Sequence, residues 1–383
     1  MTNSILQFNK EDHQPNRTVI GKAAAPVSIA SVLPSIHAYS NSACPNDLKY
    51  YLLPDGSPFG MFSDPYATLI YIDSNNNRSG RFWLSSRMED HSFTEREIRL
   101  IKFLAENRIA TRQQIKKVVF SEEDKNDKVL DFLKKYRSRG VICAFSWVSP
   151  LNDGRKKPLV YGLTQIGVEA ANCLFHKELA KDFRFVPISF QPGTGPNMSN
   201  CFIDLAANEL YSELVRIDRV ISWKRKPIIN FEDKSYFIPC VTMDVIKDKN
   251  EIFHFWVEVV RTGNSWVQRL ISRFERIERA YLKLQPEQRP ARLIIIVDGD
   301  ARIPFISELA HKYMPNVEVR YTTDERLLTG LNKETFLSYN PSTQEQKFAG
   351  ISFFQEGFPG MTASEYYAAQ SFNIENEEQW YEE

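Results

Sequence analysis

The spacing of apolar positions divides this 383-residue chain into stretches of different period. Between residues 92 and 176 the period is helical, then strand-like, then helical again. Thr94 stands three residues before Glu97, the spacing of a capping box, and Ile98, Ile101 and Leu104 follow on one face. Thr111 opens a second short helix with Ile115, Val118 and Val119 inward. Ser121 opens a third, with Val129, Leu133 and Tyr136 inward and Gly140 as its stop. Cys143, Phe145 and Trp147 then alternate as in a strand over Val141–Ser149. Leu151–Pro158 is a basic turn, Leu159–Leu163 a return strand, and Thr164 caps a helix that runs through Cys173. Three helices, a two-stranded wing and a closing helix, over residues 91–176, have the order of a winged helix-turn-helix.

Residues 1–90 are rich in Pro, Ser and Asn and hold no sustained period, which predicts a loop-rich extension. Within it, Ala67–Asp73 reads as a strand, Ser74–Gly80 as a turn and Arg81–Leu84 as the return strand of a β-hairpin. Residues 177–200 end in QPGTGPNMSN and read as a linker. Over residues 201–330 helices and strands alternate. Phe202–Ile217 is a helix, Thr242–Ile246 and Ile252–Val260 are strands, and Trp266–Leu284 is an amphipathic helix. Arg292–Asp298 is apolar throughout, as in a strand buried on both faces, and a helix and another strand follow. This order predicts an α/β domain with a parallel component, and an α+β chain as a whole. Residues 331–383 read as an acidic, aromatic tail.

The chain has no run of 18 apolar residues, and Met1–Lys10 lacks the form of a signal peptide, so a cytoplasmic protein is expected. Five scattered cysteines with no CxxC pair argue for a reducing interior and against a disulfide framework or structural zinc. Formal net charge is zero, from 48 basic and 48 acidic residues, but the charges are unevenly placed. Residues 92–176 hold 16 Lys/Arg against 10 Asp/Glu, and residues 331–383 hold 2 against 9. A basic segment beside an acidic tail suggests an anionic partner for one part only.

Two sets of residues are candidates for function. The first would contact double-stranded DNA: Arg112, then Lys125, Lys128, Lys135 and Arg139 along the third helix, and Arg155, Lys156 and Lys157 at the wing tip. A recognition helix enters the major groove, and cations on a wing release counterions from phosphates. Glu122, Glu123 and Asp124 at the start of the third helix count against it. The second set is Asp244 and Glu258 on neighbouring strands, with Glu209 on the preceding helix as a third ligand, which would hold Mg²⁺ for hydrolysis. A nuclease site needs a Lys two residues after the second acid, and Val260 stands there. Without chemistry, the same residues are strand-end acids paired with arginines. His254, between Phe253 and Phe255, reads as a satisfied core histidine. Arg269, Arg273, Arg276 and Lys283 flank the apolar stripe of the long helix. They form either a second DNA-facing strip or a solvated face laced with pairs such as Glu275–Arg279.

These features together resemble the replication-relaxation family of plasmid-encoded proteins. The runs TEREIRLIKFLAENRIATRQQI and YGLTQIGVEA are similar to its winged part. FIDLAANEL, with Asn208 before Glu209, VISWKRK, and TMDVI followed by FWVEVVRTG are similar to its second part. The resemblance implies a winged helix joined to a restriction-endonuclease-like α/β domain, and a role in plasmid replication, DNA relaxation or relaxosome assembly. Met243 and Val260 depart from the family pattern, where a Pro precedes the Asp and an acid follows the Glu. The expected protein is a sequence-specific duplex DNA binder, homodimeric, needing no cofactor for binding, on a retired nuclease frame. Two alternatives remain open. One is an active Mg²⁺-dependent nickase. The other is an assembly factor or transcriptional regulator that recruits a relaxase, replication or transfer protein through its tail.

Overall fold

A computed structural model describes residues 21–22, 45–73, 79–151 and 155–370. The chain is mixed α/β and forms two compact units. The described part of the first comprises residues 45–212 with 261–264, and that of the second residues 21–22, 213–260 and 265–370.

In the first unit, helices α1 (Ser79–Glu89), α2 (Glu95–Asn107), α3 (Arg112–Val119), α4 (Asn126–Ser138) and α5 (Gln165–Phe175) pack on an antiparallel sheet. Its strands are β2 (Thr68–Tyr71), β3 (Ile109–Thr111), β4 (Ile142–Val148) and β5 (Val160–Leu163), in the order β2-β4-β5-β3. The predicted capping box forms, and the structure adds a second at the expected Thr111 cap. Thr94 caps α2 with Glu97, and Thr111 caps α3 with Gln114. Thr164 caps α5, and Gly140 leaves α4 with φ +68°, a conformation that favours glycine. The third helix starts later than expected. Ser121 forms a turn closed by the Asp124 carboxylate, and α4 begins at Asn126.

Three expectations are corrected here. Arg81–Leu84 is not a return strand but part of α1, which carries Trp83 and Leu84 into the core. β2 pairs with β4 instead, Thr68 opposite Val148. Four residues are too few to separate a strand from one helical turn, and Ser74–Arg78 of the expected turn lie outside the described residues. Residues 177–200 do not run free. Phe185 stacks on Phe145 with ring centres 5.2 Å apart and donates its backbone N–H to the Leu163 carbonyl, and Phe190 stacks on Tyr71. A Cβ on Gly162 would stand 2.5 Å from the Phe185 ring, so a glycine is what admits that ring. Residues 45–66 bury Leu48, Leu53, Phe59 and Phe62, the last against Trp147. With helices on one face and these segments on the other, β4 is buried on both sides rather than alternating.

The second unit is built on an eight-stranded sheet. Its strands are β1 (Gly21–Lys22), β6 (Val220–Arg225), β9 (Val241–Asp248), β10 (Glu251–Val259), β11 (Arg292–Val297), β12 (Val319–Thr323), β13 (Leu337–Asn340) and β14 (Glu345–Phe348). The order is β1-β14-β13-β12-β11-β10-β9-β6, and a separate ribbon pairs β7 (Ile229–Asn230) with β8 (Tyr236–Phe237). β10, β11 and β12 are parallel, linked through α7 (Trp266–Lys283) and α8 (Ile303–Tyr313). The stripe Leu270, Phe274, Ile277 of α7 packs on Trp256, Leu293 and Ile295, which is why this helix forms on that face. β11 is buried on both faces, as its composition predicts. The expected tail is corrected: residues 331–370 belong to the unit. They add β13 and β14, and Phe353 and Phe354 cover Phe253 and Phe255. Residues 371–383 lie outside the described residues.

Candidate nucleic-acid interface

The helical order of the first unit places the predicted DNA-contact residues on α3, α4 and the β4–β5 connection. Arg112 is the first residue of α3 and half-buried. Lys125 occupies the N-cap position of α4 and is exposed, as is Lys135. Lys128 is held by Asp124 at 2.5 Å. Its ammonium and the Ser121 donors keep that carboxyl down at about 2. Arg139 lies over the rings of Trp83 and Tyr136. In the β4–β5 connection, residues 152–154 are outside the described residues. Arg155 donates to the Phe59 carbonyl, Lys156 is exposed, and Lys157 is half-buried. Of the eight residues, Arg112, Lys125, Lys135 and Lys156 keep charges with no carboxylate partner among the described residues, whereas Arg139 and Arg155 serve packing.

Glu209, expected as a metal ligand, has another role. Helix α6 (Ser199–Arg216) carries Asp204, Asn208 and Glu209 at helical spacing, all buried. Glu209 accepts from Gln114 Nε2 at 2.8 Å and from Lys117 Nζ. Gln114 Nε2 also donates to the Leu205 carbonyl at 2.9 Å. Asn208 donates to the Ile109 carbonyl at 2.6 Å, and Asp204 meets Arg108 at 2.6 Å. Three polar side chains thus tie α6 to the α2–β3–α3 corner. A buried acid is stable only when paired in this way. Sequence reasoning missed Arg108, Gln114 and Lys117, because nothing local marks a partner some 90 residues away.

The structure does not bring Asp244 and Glu258 together. β9 and β10 are antiparallel with Asp244 opposite His254, so Glu258 lies four residues further along, about 14 Å away. The residue one step beyond the paired register, opposite Glu258, is Cys240, whose N–H donates to that carboxylate at 3.0 Å. Glu258 is otherwise held by Arg273 of α7, through Nε at 3.1 Å and Nη2. Asp244 meets His254 Nδ1 at 2.7 Å, so His254 has its partner on the neighbouring strand. No group of three metal-ligating side chains occurs among the described residues. Each of the three acids has a cationic or imidazole partner, a donor set that does not fit Mg²⁺.

Fold and site define a two-unit α/β protein whose first unit presents a helical, partly uncompensated basic surface. Residues 101–227, a minority of the chain, are similar to a family: they match the model described as Replication-relaxation. The matched stretch runs from α2 to just past β6 and contains both sides of the Glu209 network, while Asp244 and Glu258 lie beyond it. No curated protein and no solved structure shows significant similarity to the chain. No helix among the described residues is long and apolar enough to cross a membrane.

Proposed function

We propose that this protein binds duplex DNA in plasmid replication, DNA relaxation or relaxosome assembly, with its first unit acting as a winged helix-turn-helix. One observation carries the reading. Within the family-matched segment, α2, α3 and α4 are followed by the β4–β5 hairpin, with β3 paired to β5, and this frame bears Arg112, Lys125, Lys135 and Lys156 with no carboxylate partner among the described residues. Helix α4 reads base edges, and Lys156 adds a salt-sensitive phosphate contact. The protein works in the cytoplasm as a homodimer on paired half-sites, and binding requires no cofactor. In this reading the second unit, with Asp244 and Glu258 apart along the β9–β10 ladder, serves as a frame and does not cut.

The test is a titration of supercoiled host plasmid with the protein, with and without Mg²⁺ or Mn²⁺. The expected result is a mobility shift without nicking, weakened at least tenfold in the triple variant Lys125→Ala, Lys135→Ala, Lys156→Ala. Metal-dependent open-circle product from the wild-type protein would replace this reading with a nickase. Absence of any shift would favour an assembly factor.

A further inference from the structure

We infer that the outer face of α7 in the second unit is a nucleic-acid backbone surface, formed by Arg269, Arg276 and Arg279 on the phosphates of duplex DNA. This rests on the DNA-binding reading above but uses a different unit and different residues.

At 3.6 residues per turn, Arg269, Ser272, Arg276, Arg279 and Lys283 fall within about 80° of arc on the side opposite the buried stripe. All five are exposed. A solvated face neutralised by its own pairs is the ordinary explanation of such a row, and the contacts do not support it. Arg279 Nε donates to the backbone carbonyl of Glu275, not to its carboxylate, and Arg276 Nε donates to the Ser272 carbonyl. Glu278 is turned away to Asn316. Among the described residues, Arg269, Arg276 and Arg279 have no carboxylate partner. The remaining cations of the helix are engaged: Arg273 with Glu258, Lys283 with Asp233.

Three guanidiniums therefore lie along about 15 Å of helix, with Ser272 between them as a further donor. The exposed face of α4 is different. It interleaves Lys128, Lys134 and Lys135 with Asp127 and Asp131, and Asp131 takes Lys134. A row of unpaired, rigidly spaced guanidiniums suits a polyanion with regularly repeated charges, and guanidinium matches phosphate oxygens in a fork. No base-reading geometry is implied, so the contribution is independent of sequence.

The test uses the full chain, a fluorescent 30-bp duplex of random sequence, and anisotropy from 50 to 300 mM KCl. Each phosphate contact adds about 0.9 to the slope of log affinity against log salt. The triple variant Arg269→Ala, Arg276→Ala, Arg279→Ala should lower that slope by about 2–3, while the triple Arg→Lys variant keeps most of it. Unchanged thermal melting of both variants checks the fold. An alanine variant with wild-type slope overturns the proposal. So does displacement of the duplex by polyglutamate as effectively as by unlabelled DNA, charge for charge. The Lys125/Lys135/Lys156 variant separates the two claims. Binding lost only there leaves the first-unit reading standing without the α7 surface, and binding lost only in the α7 variant leaves the reverse. A wild-type chain that binds no duplex overturns both.

Discussion

Replacing Glu258 by alanine should destabilise the second unit rather than silence a reaction. The side chain is 9% exposed, and it accepts from two nitrogens of Arg273 and from the Cys240 N–H. Arg273 is 22% exposed, also donates to the Ile238 carbonyl at 2.8 Å, and lies over the Phe237 ring. Removing one partner from a fully buried pair costs about 3–5 kcal/mol. Water reaches this guanidinium, which discounts the loss to about 2–3 kcal/mol. In a unit of this size each kcal/mol moves Tm by roughly 2–4 °C, so the melting of this unit should fall by roughly 5–10 °C. Calorimetry on Glu258→Ala, Arg273→Ala and the double variant measures this. The singles should exceed half of the double's loss each, leaving a coupling of about 1–2 kcal/mol. A Glu258→Ala protein that melts like the parent would refute the reasoning, because the carboxylate would then be held for something other than the fold.

Gln114→Ala removes donors from Glu209 and from the Leu205 carbonyl, and denaturant titration should show the first unit weakened by about 2–3 kcal/mol. Thr94→Ala removes half of a capping box and should cost about 1 kcal/mol, read from the midpoint of the same titration. Gly162→Val forces the Phe185 ring from its seat, and limited proteolysis should then cut within residues 177–200 in the variant but not in the parent. Asp124 has its carboxyl held below its ordinary value of 3.8, to about 2, chiefly by the hydrogen bond from Lys128. Its contribution to stability is therefore fully present above about pH 4 and lost as pH falls toward 2. Asp124→Asn should flatten the acid limb of stability against pH in that window.

Local features were legible in the sequence because they depend on neighbours. The Thr94 capping box, the Thr111 cap, the Gly140 stop and the buried strand at Arg292–Val297 follow from residues within one turn or one strand. The α7 stripe was equally plain, since its period is its own. What failed was whatever depended on distant partners. Asp244 and Glu258 stand in strands that do pair, yet register decides whether two acids meet, and register is fixed by the whole β9–β10 ladder. The Asn208–Glu209 pair looked like chemistry because buried polar residues carry the same signature whether they hold a metal or a neighbouring helix. The segments 45–66 and 331–370 looked loose because their aromatic residues follow no period. They fill gaps singly, as Phe62 and Phe354 do.

The guanidinium of Arg219 donates to the carbonyls of Met361 and Phe358, both at 2.6 Å, so the start of β6 is fastened to a segment made 142 residues later. Translation at 5–20 residues per second separates the two by roughly seven to thirty seconds. During that interval the first unit has its whole contiguous stretch through residue 212 available, while β9, β10 and β11 emerge with Phe253 and Phe255 still lacking Phe353 and Phe354. The nascent chain thus passes through a stage with one finished half and one adhesive half. A ribosome that stops anywhere between residues 300 and 350 releases a product able to fold its first unit but carrying uncovered sheet, which marks it for chaperones and proteases.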